Sequence, residues 1–363
     1  MAKESVEDRL IGLADVVIDA AKKKKDPEFQ IPVRALSNVE FNQKKRLIMM
    51  KNATTGRSFF NLGMARKFMQ TMLVGDALAE LQRADLTTSL REIYYRTKHT
   101  LKNSSENTFD GQDESDPIIE DLEVTLEALR EELHVAAEGR GSIVGNVTLV
   151  DNGDVIDCTR AGKAGHTVPS IVEEPGIRIK KCDADFILLI EKATQFNRLS
   201  EDKFWKKHKC VLITGNGQPP RGVRRLLQRF NQELRLPIIC LLDCDPWGHY
   251  IYSVIKQGSI SLAFESSRLA IPEAKFLGIR AKDYEACDLP DAVKIDLSEN
   301  DIKRAKEIAA YPWFAETKGW QKEIDRMLSN GFKMEVEAMI AKDISYVTEE
   351  YVPQRLKAKD WLD

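Results

Sequence analysis

The chain has 363 residues, of which 43% are hydrophobic and 31% are charged, a composition typical of globular proteins with two or three domains. The formal net charge of −3 does not by itself indicate a nucleic-acid-binding protein, and no run of about eighteen apolar residues indicates a membrane span. The amino terminus has no apolar signal segment and the six cysteines form no CxxC pairs, so we expect a cytoplasmic protein without a zinc site or disulfide framework.

Residues 1–61 are predicted to form a helical N-terminal extension. Apolar residues recur at helical spacing from Leu10 to Ala21, and the run Lys22–Pro27 ends the pattern. Such a helix either packs on its own domain or docks on a partner, and the sequence leaves both alternatives open.

Residues 62–158 are predicted to form a winged-helix domain of mixed α and β structure. An amphipathic helix over 62–82 is followed by a shorter helix over 89–99, and a third helix is predicted to begin at Asp116 with Pro117 in its first position.

Two predicted strands complete this domain. Ile143–Val150 and Val155–Cys158 are joined by a turn with Asn152-Gly153 at its centre, a strong hairpin signal between β-branched runs. Helices followed by one β-hairpin are typical of a winged helix, a DNA-docking fold of the helix-turn-helix class. Any small α+β domain is the alternative.

The short helix over residues 89–99 carries a candidate nucleophile. Ser89 opens it with a capping-box pattern, and Tyr94 belongs to its apolar stripe. Arg91 and Tyr95 are four residues apart and share another face, so we expect Tyr94 in the core and Tyr95 at the rim. A guanidinium near a phenol favours the phenolate and stabilises charge on a phosphate under attack. The alternative is an ordinary amphipathic helix with a half-exposed tyrosine.

Charge is unevenly distributed along the chain. Residues 106–132 contain eleven acids and one basic residue, Arg130, so we expect this segment to face away from any bound DNA. The glycine-rich segment 139–145 does not match a P-loop, and nothing else in the chain does. Side chains predicted to contact DNA lie in this segment and in the later α/β region, and they are Arg140, Ser142, Lys192, Arg221 and Arg225.

Glycines and prolines indicate a linker over residues 159–180, and residues 181–363 are predicted to form an α/β domain with a parallel sheet and C-terminal helices. The apolar runs predicted as its strands are Phe186–Ile190, Val211–Ile213, Ile238–Leu242 and Ser261–Phe264. A helix is predicted over Val223–Leu234, with Arg221, Arg225 and Arg229 facing solvent, and Ser298 is a predicted N-cap.

Acids follow two of these apolar runs. Glu191 comes directly after the first, and Asp243 and Asp245 come after the third. Ligand sites in open α/β sheets lie beyond the carboxyl ends of the strands, and in an extended Asp-x-Asp both side chains point the same way. Three carboxylates at one edge indicate a Mg²⁺ site, whereas helix capping or surface ion pairing is the alternative.

The order of these motifs resembles a known family. Ile190–Phe196 reads Ile-Glu-Lys-x-x-x-Phe, Thr214–Gly217 reads Thr-Gly-x-Gly, and Asp243–Gly248 reads Asp-x-Asp-Pro-x-Gly, which together resemble a Toprim domain. Preceded by Arg-Glu-Ile-Tyr-Tyr at 91–95, the chain is similar to the A subunits of archaeal DNA topoisomerase VI over about residues 65–360. This type IIB family is related to the meiotic double-strand-break protein.

The resemblance implies a role for each matching residue. It implies that Tyr95 is the nucleophile that becomes linked to a 5′ DNA end, that Arg91 assists it, and that Glu191, Asp243 and Asp245 bind Mg²⁺. It also implies a nucleoid-associated homodimer that cleaves double-stranded DNA, in which the tyrosine of one protomer meets the metal site of the other. A GHKL-type B subunit would bind ATP and complete an A2B2 assembly.

The turn after the second motif departs from the family pattern. Asn216 and Pro220 stand where the family has a basic residue and an acid, so the contact of this turn with phosphate is in question. Three alternatives to a topoisomerase component stay open: a hydrolytic Toprim nuclease or primase, a recombination initiator that cuts without resealing, and a non-catalytic DNA-binding protein.

Overall fold

The computed structural model describes residues 4–363, which form two compact units. The first comprises the described residues up to Asn38 together with Met50–Glu138, and the second comprises Val39–Met49 together with Gly139–Asp363. These limits differ from the predicted domain boundaries, because the chain from residue 139 onwards and a short early segment both fold with the second unit.

The elements up to residue 138 are mainly helical. The helices are α1 (Val6–Lys22), α2 (Leu62–Ala84), α3 (Leu90–Thr97) and α4 (Gln112–Thr125). The strands are β1 (Glu28–Pro32), β2 (Val39–Asn42), β3 (Leu47–Met50), β4 (Thr54–Ser58), β5 (Thr88–Ser89) and β6 (Val135–Ala136).

From residue 139 onwards strands and helices alternate. The strands are β7 (Ser142–Gly145), β8 (Val147–Asp151), β9 (Asp154–Asp157), β10 (His166–Thr167), β11 (Ile177–Cys182), β12 (Phe186–Ile190), β13 (Cys210–Thr214), β14 (Ile238–Leu241), β15 (Lys275–Gly278), β16 (Ile295–Asp296) and β17 (Phe332–Lys333). The helices are α5 (Ala193–Glu201), α6 (Phe204–Lys207), α7 (Arg221–Leu234), α8 (Pro246–Lys256), α9 (Ser266–Leu269), α10 (Asp283–Ala286), α11 (Glu299–Ala309), α12 (Pro312–Ala315), α13 (Lys318–Asn330) and α14 (Val352–Ala358).

The first unit is built around α2. The prediction of a helical extension over residues 1–61 is correct for α1 but wrong for the residues after it, which form strands β1 to β4. Helix α1 packs on α2 and contributes Leu10 to a core shared with Leu78, Ile93 and Ile119. Of the two alternatives for this helix, the structure therefore shows packing on its own unit.

The start of α4 differs from the sequence prediction. Helix α4 begins at Gln112, so Pro117 lies inside it, where proline removes one backbone hydrogen bond. In segment 106–132, Glu123 and Asp121 are buried, and Asp121 forms ion pairs with Arg34 and Arg57.

The second unit is built around a six-stranded mixed sheet in the order β10-β7-β13-β12-β14-β15. The four strands from β13 to β15 are parallel, as predicted, and β7 pairs antiparallel with β13 at one side. The central strands are fully buried because helices cover the sheet, which explains their continuous apolar runs.

The predicted Asn-Gly hairpin is confirmed, but it lies in the second unit. Strands β8 and β9 pair antiparallel around Asn152 and Gly153, which both have positive φ as a tight hairpin turn requires. The predicted strand Ile143–Val150 is wrong, because it is divided into β7 and β8, which belong to different sheets. The hairpin on which the winged-helix prediction rested is therefore not part of the helical unit.

Three other predictions for this unit are corrected. Residues 159–180 are not a linker between units, because β10 and the start of β11 pair within the sheets of this unit. Segment Ser261–Phe264 forms no strand, and the edge strand is Lys275–Gly278. Ser298 does cap α11, in a capping box with Asp301.

The prediction that the arginines of α7 face solvent is also wrong. Arg229 is buried and donates to the carbonyls of Val172 and Ile177, while Arg225 pairs with Glu173. The segment before β11 covers this face of the helix, and its oxygen atoms satisfy the guanidinium groups.

Strands β2 and β3 pair with each other in the second unit although they lie early in the chain. The backbone N–H of Ile48 donates to the carbonyl of Gln257 at 2.9 Å, and the rings of Phe41 and Trp313 are 6.0 Å apart.

Across residues 4–363, no helix combines the length and the apolar character needed to cross a bilayer.

Candidate active site

Helix α3 begins with the capping box that its sequence predicts. The Ser89 hydroxyl accepts from the backbone N–H of Glu92 at 3.1 Å, and the Glu92 carboxylate accepts from the N–H of Ser89 at 2.8 Å. These hydrogen bonds satisfy donors that a helix start leaves unpaired, and they lower the pKa of Glu92. The first residue of this short helix is therefore fixed.

The two neighbouring tyrosines of α3 lie in opposite environments, as predicted. Tyr94 is 9% exposed, its hydroxyl donates to the carbonyl of Asp110 at 3.2 Å, and Lys98 donates to that hydroxyl at 2.8 Å. Tyr95 is 60% exposed, and the guanidinium carbon of Arg91 lies 5.9 Å from the centre of its ring. The exposed phenol with a cation beside it is the tyrosine that can reach a substrate.

The three predicted carboxylates are in the second unit, and two adjacent strands carry them. Strands β12 and β14 are parallel neighbours, so their carboxyl ends lie side by side. Glu191 follows the end of β12, next to the end of β14. The backbone N–H of Asp243 donates to a carboxylate oxygen of Glu191 at 3.1 Å, which places Glu191 directly at the Asp-x-Asp segment. The carboxylate of Asp245 accepts from the N–H of Gly248 at 2.6 Å and caps α8.

Burial raises the pKa of all three carboxyl groups. It raises the pKa of Glu191 to about 7, with the negative charge of Asp243 adding to the effect. It raises the pKa of Asp243 to about 6, against a backbone hydrogen bond from Val336 that lowers it, and it also raises the pKa of Asp245. Carboxylates held together in a place of low solvation gain stability when a cation joins them.

Lys192 is the cation that the chain itself brings to this site. Its Nζ lies 3.0 Å from Asp243, 3.0 Å from Glu335 and 3.3 Å from Glu337. Burial alone would lower the pKa of Lys192, but hydrogen bonds to Glu335 and Asp243 outweigh it and raise the pKa. Sequence reasoning missed both glutamates, and their only signal was a pair of acids two residues apart.

These residues fit a hard divalent cation. Three carboxylates supply oxygen ligands of the kind that Mg²⁺ prefers, and the poor solvation that raises their pKa values favours a bound cation. The alternative of simple helix capping applies to one oxygen of Asp245 alone.

The turn that departs from the family pattern is packed against this site. The N–H of Gly217 donates to the Glu191 carbonyl at 2.8 Å, and Asn216 has a left-handed φ of 55°, which asparagine tolerates well. Arg140 donates to the Asn216 carbonyl at 2.7 Å. A Cβ on Gly141 would lie 2.4 Å from the Thr214 carbonyl oxygen, so glycine is required for this close approach. Arg140 thus brings positive charge to a turn whose own side chain is neutral.

The remaining predicted DNA contacts differ in accessibility. Ser142 lies on β7, opposite Thr214. Arg221 pairs with Glu265 at 2.8 Å, and Arg225 pairs with Glu173. Both arginines are mostly covered, and a contact with DNA would compete with these ion pairs.

A second set of ligand-type side chains includes Cys244, the residue between the two aspartates. Atoms of Cys244, His249 and Glu323 that could bind a metal lie within 4.8 Å of one another, and all three residues are buried. Burial raises the pKa of Cys244 and Glu323 and lowers that of His249 to about 3, so without an ion this set favours uncharged forms.

Two family descriptions match the chain. The Toprim domain of the topoisomerase 6 A subunit and Spo11 matches residues 186–356, and the type IIB DNA topoisomerase family matches residues 66–135. Among curated relatives, the A subunit of type 2 DNA topoisomerase 6 from Pyrococcus horikoshii is 40% identical, over 96% of this chain and 93% of its own length. The chain belongs to the family of topoisomerase 6 A subunits.

Other members of the family align with most of this chain. The A subunit of type 2 DNA topoisomerase 6 from Sulfurisphaera tokodaii is 37% identical, over 100% of this chain and 97% of its own length. The A subunit of DNA topoisomerase 6 from Arabidopsis thaliana is 32% identical, over 92% of this chain and 76% of its own length. The topoisomerase 6 chain described here is therefore the DNA-cleaving subunit of a type IIB topoisomerase, and its second unit contains the Toprim domain.

Proposed function

We propose that Tyr95 is the nucleophile of this topoisomerase chain, that Arg91 assists it, and that Glu191, Asp243 and Asp245 hold Mg²⁺. The observation that carries the proposal is the contrast within the tyrosine pair, since Tyr94 is anchored in the core while Tyr95 stands exposed beside a guanidinium. The grouping of three carboxylates at one sheet edge, with Asp243 buried and Glu191 and Asp245 partly buried, supports the metal site.

The chemistry follows from these positions. The Tyr95 oxygen attacks a DNA phosphorus, its proton leaves to solvent or a base, and the bond from phosphorus to the 3′ oxygen breaks to leave a 3′ hydroxyl. Arg91 stabilises the negative charge that develops on the phosphate. Mg²⁺ held by the carboxylates would supply further positive charge to that phosphate. Because a phosphotyrosyl ester replaces the phosphodiester, the 3′ hydroxyl can reverse the reaction without another energy source.

The assembly follows from the number of nucleophiles. A double-strand break requires two tyrosines, and each chain supplies one Tyr95, so two chains act together across the duplex, most simply about a two-fold axis. In this proposal a GHKL-type B subunit binds ATP and drives strand passage in an A2B2 complex. The helical unit that carries Tyr95 binds DNA, and the enzyme works in the cytoplasm on nucleoid DNA.

Arg140 is the best supported of the proposed DNA contacts. It is exposed, and its guanidinium lies at the turn that packs on the backbone of Glu191. Ser142 and Lys192 lie on segments that lead into the same site. Arg221 and Arg225 contribute to DNA binding only if their ion pairs with Glu265 and Glu173 open.

Covalent attachment separates this function from hydrolysis. The chain is mixed with its partner ATPase, supercoiled DNA and Mg²⁺, and the reaction is stopped with denaturant. We expect linear DNA with protein on both 5′ ends, and no cleavage in excess EDTA. Protein-free 5′-phosphate ends would instead identify a hydrolytic Toprim nuclease, whereas adducts that never reseal would indicate a recombination initiator.

A further inference from the structure

The ammonium group of Lys192 is a cation within the carboxylate site, and it forms ion pairs with three carboxylates. Lys192 is the second residue after β12, and it reaches Asp243, Glu335 and Glu337 at the same time. Only Asp243 belongs to the proposed metal ligands. The two glutamates come from a segment far along the chain, so their presence around one lysine calls for a physical explanation.

The segment that carries the glutamates is fixed to the site by its backbone. Met334 and Cys244 exchange backbone hydrogen bonds of 2.9 and 3.1 Å, and the N–H of Val336 donates to Oδ1 of Asp243 at 2.7 Å. Glu337 also accepts from the hydroxyl of Thr194 at 2.6 Å. The glutamates therefore stay beside Lys192 whether or not Lys192 contacts Asp243.

The two oxygens of Asp243 have different partners. Oδ1 accepts the backbone hydrogen bond from Val336, while Lys192 occupies Oδ2. The Asp243 side chain is only 4% exposed, so Oδ2 has little access to water and depends on a cation. Oδ2 becomes available as a metal ligand when Lys192 withdraws.

We propose that Lys192 is a placeholder cation, which neutralises Asp243 before the divalent ion binds and is then retained by Glu335 and Glu337. The withdrawal needs only the loss of the Asp243 contact, because the other two ion pairs already exist. Glu335 and Glu337 are thus positioning residues for Lys192 and not metal ligands. This inference rests on the proposed metal site.

Metal affinity without DNA tests the proposal independently of cleavage. Binding of Mn²⁺, measured from the electron paramagnetic resonance signal of the free ion, is compared among purified full-length chains. We expect Lys192→Met to bind Mn²⁺ about five- to tenfold more tightly, because a competing cation is removed from a poorly solvated site. We expect Glu335→Gln with Glu337→Gln to bind it several-fold more weakly, because Lys192 then stays on Asp243.

A thermodynamic cycle separates this exchange from general electrostatics. If the glutamates act through Lys192, their substitution has no effect once residue 192 is methionine, whereas a long-range charge effect would persist in that background. Lys207→Met is the charge-matched control, since Lys207 pairs with Glu349 at 2.5 Å and is not among the charges that shift the pKa of the three ligands, and we expect at most a twofold change there.

The outcomes distinguish the two proposals. Weaker or unchanged Mn²⁺ binding in Lys192→Met, or a glutamate effect that survives in that background, overturns the placeholder role while the metal site stands. Mn²⁺ binding that Glu191→Ala leaves unaltered overturns the metal site and the placeholder role together. If Lys192→Met does not fold, as thermal denaturation would show, the same cycle is run with Lys192→Gln, and the glutamate pair is measured in wild-type background.

Discussion

At the scale of single residues, the tyrosine pair of α3 gives the most direct prediction. Tyr95→Phe removes the exposed oxygen and leaves the packing unchanged, so we expect complete loss of covalent DNA adducts with unchanged stability and DNA binding. Tyr94→Phe is the matched control. It removes a buried hydroxyl that bonds to Asp110 and Lys98, so it should cost about 1 kcal/mol of stability and retain adducts. Adducts lost in the Tyr94 variant and kept in the Tyr95 variant would reverse the assignment.

The raised pKa of Glu191 predicts how stability depends on pH in the absence of metal. A carboxyl group whose pKa rises from 4.5 to about 7 on folding stabilises the folded chain below the unfolded pKa, and this contribution is lost as pH rises through 7. We expect the melting temperature of Glu191→Gln, measured in EDTA, to exceed that of wild type increasingly between pH 5 and 8. A constant difference across this range would show that Glu191 does not carry the shift.

The same residues show which parts of the site sequence can predict. Glu191, Asp243 and Asp245 were predictable because each follows an apolar run, and the ends of neighbouring parallel strands meet at one edge. The ion pairs of Lys192 were not predictable, because its partner Glu337 lies 145 residues further along the chain and no local sequence pattern specifies such a contact. The exposure of Tyr95 was predictable because helical spacing determines the face of a residue.

At the scale of elements, the capping box of α3 is expected to position the nucleophile. Ser89→Ala removes the acceptor for the N–H of Glu92 and should cost about 1 kcal/mol of stability. Since α3 has 8 residues, the loss should also reduce the yield of adducts per folded chain. Ser5→Ala removes an equivalent capping box from α1 and should lower stability alone. Equal adduct yields in the two variants would argue against a positioning role for the cap.

Elements with a strong local pattern were predictable, and those fixed by distant contacts were not. Fully apolar β12, β13 and β14 were recognised because both faces of a covered sheet are buried. Ser261–Phe264 has similar composition but forms turns and a short 3-10 helix, since a run of this length does not distinguish strand from helix. The hairpin β8–β9 was predictable from Asn152-Gly153, whereas its membership of the second unit depends on pairing with β11.

At the scale of the whole molecule, the proposed homodimer predicts complementation between two inactive chains. Tyr95→Phe lacks the nucleophile, and Glu191→Ala lacks a metal ligand, so each homodimer should be inactive. If Tyr95 of one chain uses the metal site of the other, a mixed dimer has one competent pair and should nick one strand. Tagged heterodimers are isolated with the partner ATPase and assayed on supercoiled DNA. Mixed dimers that bind DNA without nicking would place both groups in one chain.

The hairpin β2–β3 has a consequence for the order in which the chain is completed during synthesis. Its partners in the second unit are made much later, since Arg46 and its partner Glu273 are separated by 227 residues. At about 5–20 residues per second, the ribosome needs at least about 10 s to reach them, while residues 50–138 can already fold. The buried Ile48 stays unpartnered throughout this interval, exposed to chaperones and to neighbouring nascent chains. One of the earliest segments to emerge is therefore one of the last to be enclosed.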